Sequence, residues 1–444
     1  MIGFLIDRMR DSEDRLAVAR LGNTSTYGAL HARISEWQAW LAPRIEPGRV
    51  VSVEAEYGLE SIALFLALTA NRNIVVPLST DSRAQQDAFL AIAQVEHRIR
   101  PMPDEADHVL TGRQADHPLY RTIRERDHPG LILFSSGSTG EPKAAVHDLS
   151  FLMKKFERPR HCYRTLVFLQ LDHIGGVNTL FYTLSNGGAV VVPDERSPAC
   201  VCAAVSTHRV ELLPTTPTFL NLLLLSGEHL RHDLSSLRLI TYGTEPMPES
   251  TLLRVKRAFP AATLQQTYGM TEMGILRSKS RGPDSLWVRV GGEGYETKVL
   301  EGRLWIRGAS AMLGYLNAPS PFDVEGFFDT GDQVEVDGEW LRILGRKSDV
   351  INVGGSKVYP AEVEGVLLEI ENVADVVVRG EPNPITGQIV VATVRLTRDE
   401  AAVEFKTRMG LFCRDRLAPY KIPVKVRFTA DPLYSARYKR LRLR

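Results

Sequence analysis

The sequence predicts an α/β protein in which helices cover largely parallel, buried strands. Helical stretches alternate with short runs rich in β-branched residues along the first part of the chain. The clearest of these runs are at 73–77, 165–168, 189–192 and 237–241. Such alternation is typical of layered sheets with helices on their faces, and continuous apolar strands indicate burial on both sides.

After about residue 285 the pattern changes to antiparallel hairpins. The runs 333–336 and 340–344 alternate in polarity and are joined by Asp337-Gly338, a dipeptide that favours a tight hairpin turn. A similar run occurs at 304–307. This part of the sequence predicts a small antiparallel barrel region beside the layered sheets.

Composition excludes several classes of protein. The chain has 444 residues, 44% hydrophobic content and 24% charged residues, enough for a large core and two or more domains. A formal net charge of +1 gives no attraction to nucleic acid or anionic membranes. The four cysteines form no Cys-x-x-Cys pair, and the apolar runs fall far short of the ~20 residues that span a bilayer. We therefore expect a cytoplasmic enzyme with no membrane span and no nucleic-acid partner.

A polar loop rich in glycine follows the apolar run 131–134, which is predicted to be a buried strand. Glycine allows backbone N–H groups to approach an anion, hydroxyl groups add donors, and one lysine adds charge. The spacing differs from that of a Walker loop. A polar surface loop is the alternative, but the composition favours a phosphate-binding loop. Its residues are Ser135, Ser136, Gly137, Ser138, Thr139, Gly140, Glu141, Pro142 and Lys143.

Four motifs in a fixed order resemble those of the adenylate-forming superfamily, which includes acyl-CoA synthetases, peptide-synthetase adenylation domains and beetle luciferases. The loop at 135–143 is the first, and the strings at 268–272 (Tyr-Gly-Met-Thr-Glu) and 328–332 (Phe-Asp-Thr-Gly-Asp) are the second and third. The fourth begins with Gly-Arg-Lys-Ser-Asp at 345–349 and runs on to 364. Agreement of several motifs across two thirds of the chain is specific.

The resemblance implies two domains. Residues 1–347 would form a large N-terminal domain of layered α/β sheets with the barrel region, and 348–444 a small, mobile α+β domain. The hinge would lie near Ser348, where relatives often carry a charged residue. After adenylation the small domain of such enzymes rotates, which would bring Gly355 toward a pantetheine tunnel.

The chemistry of this family requires two anions to meet, because the oxygen of a carboxylate attacks the α-phosphorus of ATP. Positioning and charge neutralisation are therefore the main tasks. The resemblance assigns Ser138, Thr139 and Lys143 to the β- and γ-phosphates and Thr271 to the α-phosphate. It assigns Glu272 to Mg²⁺, which prefers one or two carboxylates together with phosphate oxygens.

The resemblance also places the nucleoside. Asp332 and Arg346 would bind the ribose, and the turn Gly243-Thr244-Glu245 would form one side of the adenine slot. Tyr268 would lie on or beside the adenine, next to Gly269; a buried core tyrosine is the alternative, since aromatic rings often simply fill cores.

Two residues are expected at the acyl end. His173 lies in a His-x-x-Gly segment like that of acyl- and aryl-CoA ligases, although Asp172 precedes it where relatives carry an apolar residue. An Asp in this region could instead bind the amine of an amino acid. Near the C-terminus, Lys439 and Arg442 fit the spacing of the catalytic lysine segment, with Tyr438 in place of the usual glycine.

The sequence therefore predicts an AMP-forming acid–thiol ligase that uses ATP and Mg²⁺. It would convert a small, medium-chain or aromatic acid to acyl-AMP and transfer the acyl group to coenzyme A. Transfer to the pantetheine of an acyl carrier protein, or to an amine, is the first alternative. An inactive ATP-binding or sensing protein is the second, because the C-terminal motif departs from the family pattern.

Overall fold

The computed structural model describes residues 2–20, 22–102, 106–136, 141–292, 294–435 and 437–441, with only the backbone of Thr80, Asp81 and Ser136. The strands, in chain order, are β1 (Leu16–Arg20), β2 (Asn23–Thr26), β3 (Val50–Glu54), β4 (Ile74–Leu78), β5 (His97–Pro101), β6 (Ala106–Leu110), β7 (Gly130–Ser136), β8 (Pro142–Asp148), β9 (Arg164–Leu166), β10 (Ala189–Val192), β11 (Leu212–Thr215), β12 (Leu239–Tyr242), β13 (Thr263–Gln266), β14 (Tyr268–Met270), β15 (Gly274–Leu276), β16 (Ser278–Ser280), β17 (Trp287–Val290), β18 (Tyr295–Leu300), β19 (Arg303–Gly308), β20 (Gly314–Tyr315), β21 (Phe328–Asp337), β22 (Trp340–Arg346), β23 (Ile351–Val353), β24 (Ser356–Val358), β25 (Val373–Asn383), β26 (Gly387–Leu396) and β27 (Lys425–Phe428).

The helices pack against these strands. They are α1 (Gly3–Arg10), α2 (Tyr27–Leu41), α3 (Leu59–Ala70), α4 (Gln86–Ile92), α5 (Pro118–Glu125), α6 (Leu149–Met153), α7 (Ile174–Ser185), α8 (Pro198–His208), α9 (Pro217–Ser226), α10 (Glu249–Ala258), α11 (Pro360–Leu367) and α12 (Ala402–Cys413). Short 3-10 turns occur at Thr80–Gln85, Lys154–Phe156, Glu228–Leu230, Lys347–Asp349 and Pro419–Lys421. None of the helices in the described ranges is long and apolar enough to cross a bilayer.

Two large sheets form the N-terminal part. In the described chain the first has the order β13-β12-β11-β9-β10-β1-β2, and its pairs are parallel except for β1 with β2. The second has the order β20-β8-β7-β4-β3-β5-β6, with parallel strands at its centre and antiparallel strands at both edges. The predicted α/β class is confirmed.

The central helices lie between the two sheets. α3 is buried on every side along 61–69, as expected for a helix that faces a sheet on each flank. Val18 of the first sheet and Val51 of the second belong to the same hydrophobic cluster as this helix. Polar caps fix the starts of the helices near the site. The hydroxyl group of Thr216, for example, accepts a hydrogen bond from Phe219 N at the start of α9.

The barrel region and the C-terminal part follow. Strands β16-β17-β22-β21-β19-β18 form an antiparallel sheet, and the predicted hairpin at 333–344 is present as β21 and β22. Beyond it, β23 to β27 form a sheet that packs on α11 and α12 around a separate core. Ser348 lies in the 3-10 turn between the two regions. The domain boundary at 347/348 and the hinge stay predictions.

Candidate active site

The predicted phosphate loop joins two antiparallel strands of the second sheet. Ser135 on β7 lies directly opposite Lys143 on β8. Gly137, Ser138, Thr139 and Gly140 lie outside the described residues, as does the side chain of Ser136. The ammonium group of Lys143 is 5.4 Å from the centroid of the Tyr315 ring, within range of a cation–π contact.

Glu272 is held by a tyrosine from another part of the chain. Thr271 and Glu272 lie in the turn between β14 and β15, and the hydroxyl group of Tyr315 donates to Glu272 Oε1 at 2.6 Å. The backbone carbonyl of Glu272 accepts from Met312 N at 2.8 Å. Because Tyr315 contacts both Glu272 and Lys143, it joins a carboxylate and a cation, the groups that suit an Mg²⁺ ion and the phosphate oxygens it binds.

A buried histidine supports the same turn. His147 on β8 is fully buried, and its Nε2 lies 2.7 Å from the carbonyl oxygen of Thr271. Burial lowers the pKa of His147 to about 4, so the ring is neutral and its Nε2–H donates to that oxygen. The carbonyl fixes the protonation of this nitrogen, and the imidazole in turn holds Thr271 in place.

Asp332, which is predicted to bind the ribose, is a buried carboxylate. It lies inside the ten-residue strand β21, opposite Arg346 of β22. Its Oδ2 accepts from the Tyr268 hydroxyl at 2.5 Å, and its Oδ1 is 3.7 Å from Arg346 Nε. Burial raises the pKa of Asp332, while the guanidinium group and the hydroxyl donor oppose the rise. The contact of Asp332 with a ribose hydroxyl stays a prediction.

Tyr268 takes part in this site through its hydroxyl group. Its ring belongs to the hydrophobic core of the barrel region and is only 7% exposed. Burial raises the pKa of the Tyr268 hydroxyl well above its usual range, so it stays protonated and donates to Asp332. The predicted contact with adenine stays a prediction. Gly269 beside it is closely packed, because a Cβ there would lie 2.6 Å from Gly274 O.

The predicted adenine turn is tightly packed as well. A Cβ on Gly243 would lie 2.7 Å from Thr267 O, and Thr244 has a left-handed φ of +71°. Both carboxylate oxygens of Glu245 have partners: Oε1 accepts from Thr218 N at 2.8 Å and Oε2 from Arg440 N at 3.2 Å. Glu245 therefore links the start of α9 to the C-terminal segment, a connection that the motif did not indicate.

His173 and Lys439, both predicted at the acyl end, lie close together. His173 caps α7, where its Nδ1 accepts from Gly175 N at 3.0 Å, and its Nε2 lies 3.5 Å from Lys439 Nζ. Burial lowers the pKa of His173 well below its usual range, and burial together with Arg437 lowers the pKa of Lys439 to about 8. In the neutral ring Nε2 carries the proton, because Nδ1 is an acceptor. Two N–H donors therefore lie side by side, an arrangement in which both can donate to the same anion.

Gly355 lies away from these contacts, at the tip of the β23–β24 hairpin. Its φ is +88°, and a Cβ there would meet no atom within 4 Å. An open, left-handed position of this kind permits both a tight hairpin and the close approach of a ligand. The structure brings Lys439, and not Gly355, to His173, and Arg442 lies outside the described residues.

Comparison with known proteins decides the family. The family model described as AMP-binding enzyme matches residues 6–316, and that of the AMP-binding enzyme C-terminal domain matches 362–435. The chain belongs to the AMP-binding enzyme family. This AMP-binding enzyme is 28% identical to a 2-succinylbenzoate–CoA ligase of Bacillus cytotoxicus, over 100% of the chain and 97% of the relative. It is 31% identical to an indoleacetate–CoA ligase of Aromatoleum aromaticum, over 68% of the chain and 63% of the relative.

Among solved structures, the amide bond synthetase McbA from Marinactinospora thermotolerans matches with a TM-score of 0.78 at 23% identity, over 98% of this chain and 97% of that one. This likeness shows the fold. The predicted family and fold are thus confirmed. So is the prediction of an AMP-forming acid–thiol ligase.

Sequence reasoning missed the residues that support the site. Tyr315 and His147 lie outside the four motifs, and no spacing connects them to Glu272 or Thr271 in the sequence. Asp172 was noted as a departure from the family and as an alternative ligand for the amine of an amino acid, but its pairing with Arg437, from which its Oδ2 accepts at 3.1 Å, was not foreseen. The sequence did hold one indication of this pair: Asp172 directly precedes His173, and Arg437 is two residues before Lys439.

Proposed function

We propose that this AMP-binding enzyme activates an aromatic carboxylic acid as acyl-AMP and transfers the acyl group to coenzyme A. The observation that carries the proposal is the approach of Lys439 Nζ to His173 Nε2 at 3.5 Å. It joins a lysine near the C-terminus to the histidine that begins α7, and both present N–H donors to the same space. A carboxylate and the α-phosphate are the anions that meet in this reaction.

Each end of the site has its own role in the proposal. Asp332 binds the ribose hydroxyls through the oxygen that Tyr268 leaves available, and Arg346 stands beside it. Lys143 binds the terminal phosphates. Glu272, oriented by Tyr315, holds Mg²⁺, which when bound neutralises phosphate charge.

The reaction has two steps. A carboxylate oxygen bonds to the α-phosphorus while the bond from that phosphorus to pyrophosphate breaks; the Lys439 ammonium and the His173 Nε2–H stabilise the charge that develops on the oxygens. The thiolate sulfur of coenzyme A then attacks the carbonyl carbon, and AMP leaves. Gly355 would allow the thiol arm to approach in this second step.

The substrate class rests on the relatives. Both curated relatives named above are ligases of acids that carry an aromatic ring. A carrier-protein pantetheine or an amine as acceptor is the alternative that the assay below distinguishes from coenzyme A. We also propose that the enzyme works in the cytoplasm, where ATP and coenzyme A are made and where its free cysteines would stay reduced.

The test is ATP–pyrophosphate exchange with a panel of aromatic, medium-chain, short-chain and amino acids, followed by AMP release with and without coenzyme A. Exchange with aromatic acids and AMP release stimulated by coenzyme A are expected. Exchange only with aliphatic or amino acids would contradict the substrate class. Exchange without stimulation by coenzyme A would instead favour a carrier protein or an amine as acceptor. The Lys439→Ala variant, which should bind ATP without exchange, is the control for background turnover.

A further inference from the structure

The C-terminal segment 437–440 is docked on the N-terminal part through four successive residues. Arg437 contacts Asp172, Tyr438 packs on aromatic rings, Lys439 reaches His173, and Arg440 N donates to Glu245. The segment therefore has several contacts besides that of the lysine. Asp172 and Tyr438, the two residues that depart from the family pattern, both lie in this interface.

The first contact is an ion pair next to the reacting groups. Asp172 is 6% exposed, and its Oδ2 accepts from the Ser79 hydroxyl at 2.6 Å and from Arg437 at 3.1 Å. Asp172 directly precedes His173, and Arg437 is two residues before Lys439. The pair thus spans the same gap as the approach of Lys439 to His173. Its carboxylate also neutralises one of two cations that would otherwise repel each other within the segment.

The second contact is an aromatic anchor. Tyr438 has a left-handed φ of +52°, a conformation that costs energy for a residue with a Cβ. Its ring centroid lies 5.3 Å from those of Phe168, Phe219 and Tyr434, and its carbonyl oxygen accepts from the Thr216 hydroxyl at 2.8 Å. Packing of this kind offsets the backbone strain. It also fixes the backbone from which the Lys439 side chain extends.

We propose that Asp172, Arg437 and Tyr438 are positioning residues for adenylation. They hold the backbone on both sides of the Lys439 Cα, so that a side chain with four rotatable bonds keeps its ammonium group beside His173. This inference rests on the proposed role of Lys439. It differs from a direct role of Arg437 on the substrate, because Arg437 acts through Asp172 and the backbone.

A double-mutant cycle on the ion pair tests this proposal. Asp172→Asn, Arg437→Met and the double variant are compared in pyrophosphate exchange with the best aromatic acid of the panel. Each single variant should lower kcat by about 10- to 100-fold, the range that a displaced catalytic group produces. The KM for ATP should stay close to that of the wild type. The double variant should be no worse than the worse single variant, because both changes remove one interaction. Transfer from preformed acyl-AMP to coenzyme A should be unchanged.

A second measurement needs no substrate and no catalysis. Trypsin cleaves after Arg437 and Lys439, so the rate at which the C-terminal peptide is released reports how firmly the segment is docked. Asp172→Asn leaves these cleavage sites intact and should raise the rate about tenfold or more. Tyr438→Gly should do the same. The surface pair Arg209 and Asp233, 2.6 Å apart, supplies the matched control variant Asp233→Asn, which should change neither readout.

The outcomes distinguish a failure of the proposed role of Lys439 from a failure of the positioning role. If Lys439→Ala keeps full exchange, the proposed function of Lys439 fails. If Lys439→Ala loses exchange while Asp172→Asn keeps both full exchange and wild-type proteolysis, only the positioning role fails. Multiplying losses in the double variant would also overturn the positioning role, because they would show that Arg437 acts separately from Asp172. Should Arg437→Met not fold, Arg437→Gln, which also removes the charge, replaces it in the cycle.

Discussion

Replacement of Tyr268 by phenylalanine removes one hydroxyl group from the nucleotide end of the site. That hydroxyl donates to Asp332 at 2.5 Å, and the carboxylate it reaches is only 9% exposed. Burial raises the pKa of Asp332, and the two opposing influences are this donor and the guanidinium group of Arg346 at 3.7 Å. The substitution leaves Arg346 as the main group that lowers the pKa of Asp332, so this pKa should rise further.

The size of the shift follows from the hydrogen bond. A bond to a charged group contributes about 1.5–3 kcal/mol, and one pKa unit corresponds to about 1.4 kcal/mol. The ionised form of Asp332 should therefore lose about 1.5–3 kcal/mol of stabilisation, and its pKa should rise. Because the proposed ribose contact requires the ionised carboxylate, activity is lost as the pH falls through this pKa. The acid limb of kcat/KM for ATP should therefore move to higher pH.

The assay is pyrophosphate exchange at low ATP across a range of pH, since kcat/KM reports ionisations of the free enzyme. Tyr295→Phe is the matched control. It removes a hydroxyl group that lies 2.5 Å from the neutral Ser310 hydroxyl in the same region, so it should leave the acid limb in place. If the acid limb of Tyr268→Phe is unchanged, or moves to lower pH, the inferred role of the Tyr268 hydroxyl in lowering the pKa of Asp332 is refuted.

Three further predictions concern lysine and glycine positions. Lys439→Ala should lower the adenylation rate by about 10²–10³-fold, the usual effect of losing one charge-stabilising donor, while calorimetry shows ATP binding nearly intact. Gly355→Leu should slow transfer to coenzyme A in single-turnover assays more than adenylation, because leucine is strained at a φ of +88°. Burial lowers the pKa of Lys155 to about 7, so between that value and 10.5 the unfolded chain binds more protons and the free energy of unfolding rises with pH. In denaturant titrations Lys155→Met should make this rise smaller, while part of it remains because the pKa of Lys439 is lowered too. The exposed control Lys406→Met should retain the full rise. Equal slopes in all three proteins would contradict the assignment.

Much of the fold and site could be predicted because the information is local. The hairpin of β21 and β22 follows from alternating strands around one turn, and the buried runs of the sheets follow from their apolar residues. The strings at 268–272 and 328–332 likewise keep Glu272 and Asp332 within a few residues of the backbone that holds them. Such side chains can therefore be identified from the local sequence, without knowledge of the rest of the structure.

Other features depend on the route of the chain through space. Tyr315 is 43 residues from Glu272, and His147 is 124 residues from Thr271. They meet because β20 pairs with β8 at the edge of the second sheet, beside the β14–β15 turn. Residues so far apart in the sequence share no periodic pattern. Neither the contact of Tyr315 with Glu272 nor that of His147 with Thr271 could therefore be predicted from the sequence.

The sequence by itself determined the layered α/β architecture, the order of the motifs and the class of reaction, since each depends on residues that are neighbours in the chain. Only the tertiary structure decided how Lys439 is held. Asp172 and Arg437 are 265 residues apart, and each alone reads as an irregular charge beside a motif. Docking of the C-terminal segment brings them within hydrogen-bond distance, where the strong attraction of opposite charges in a buried setting makes them one structural unit.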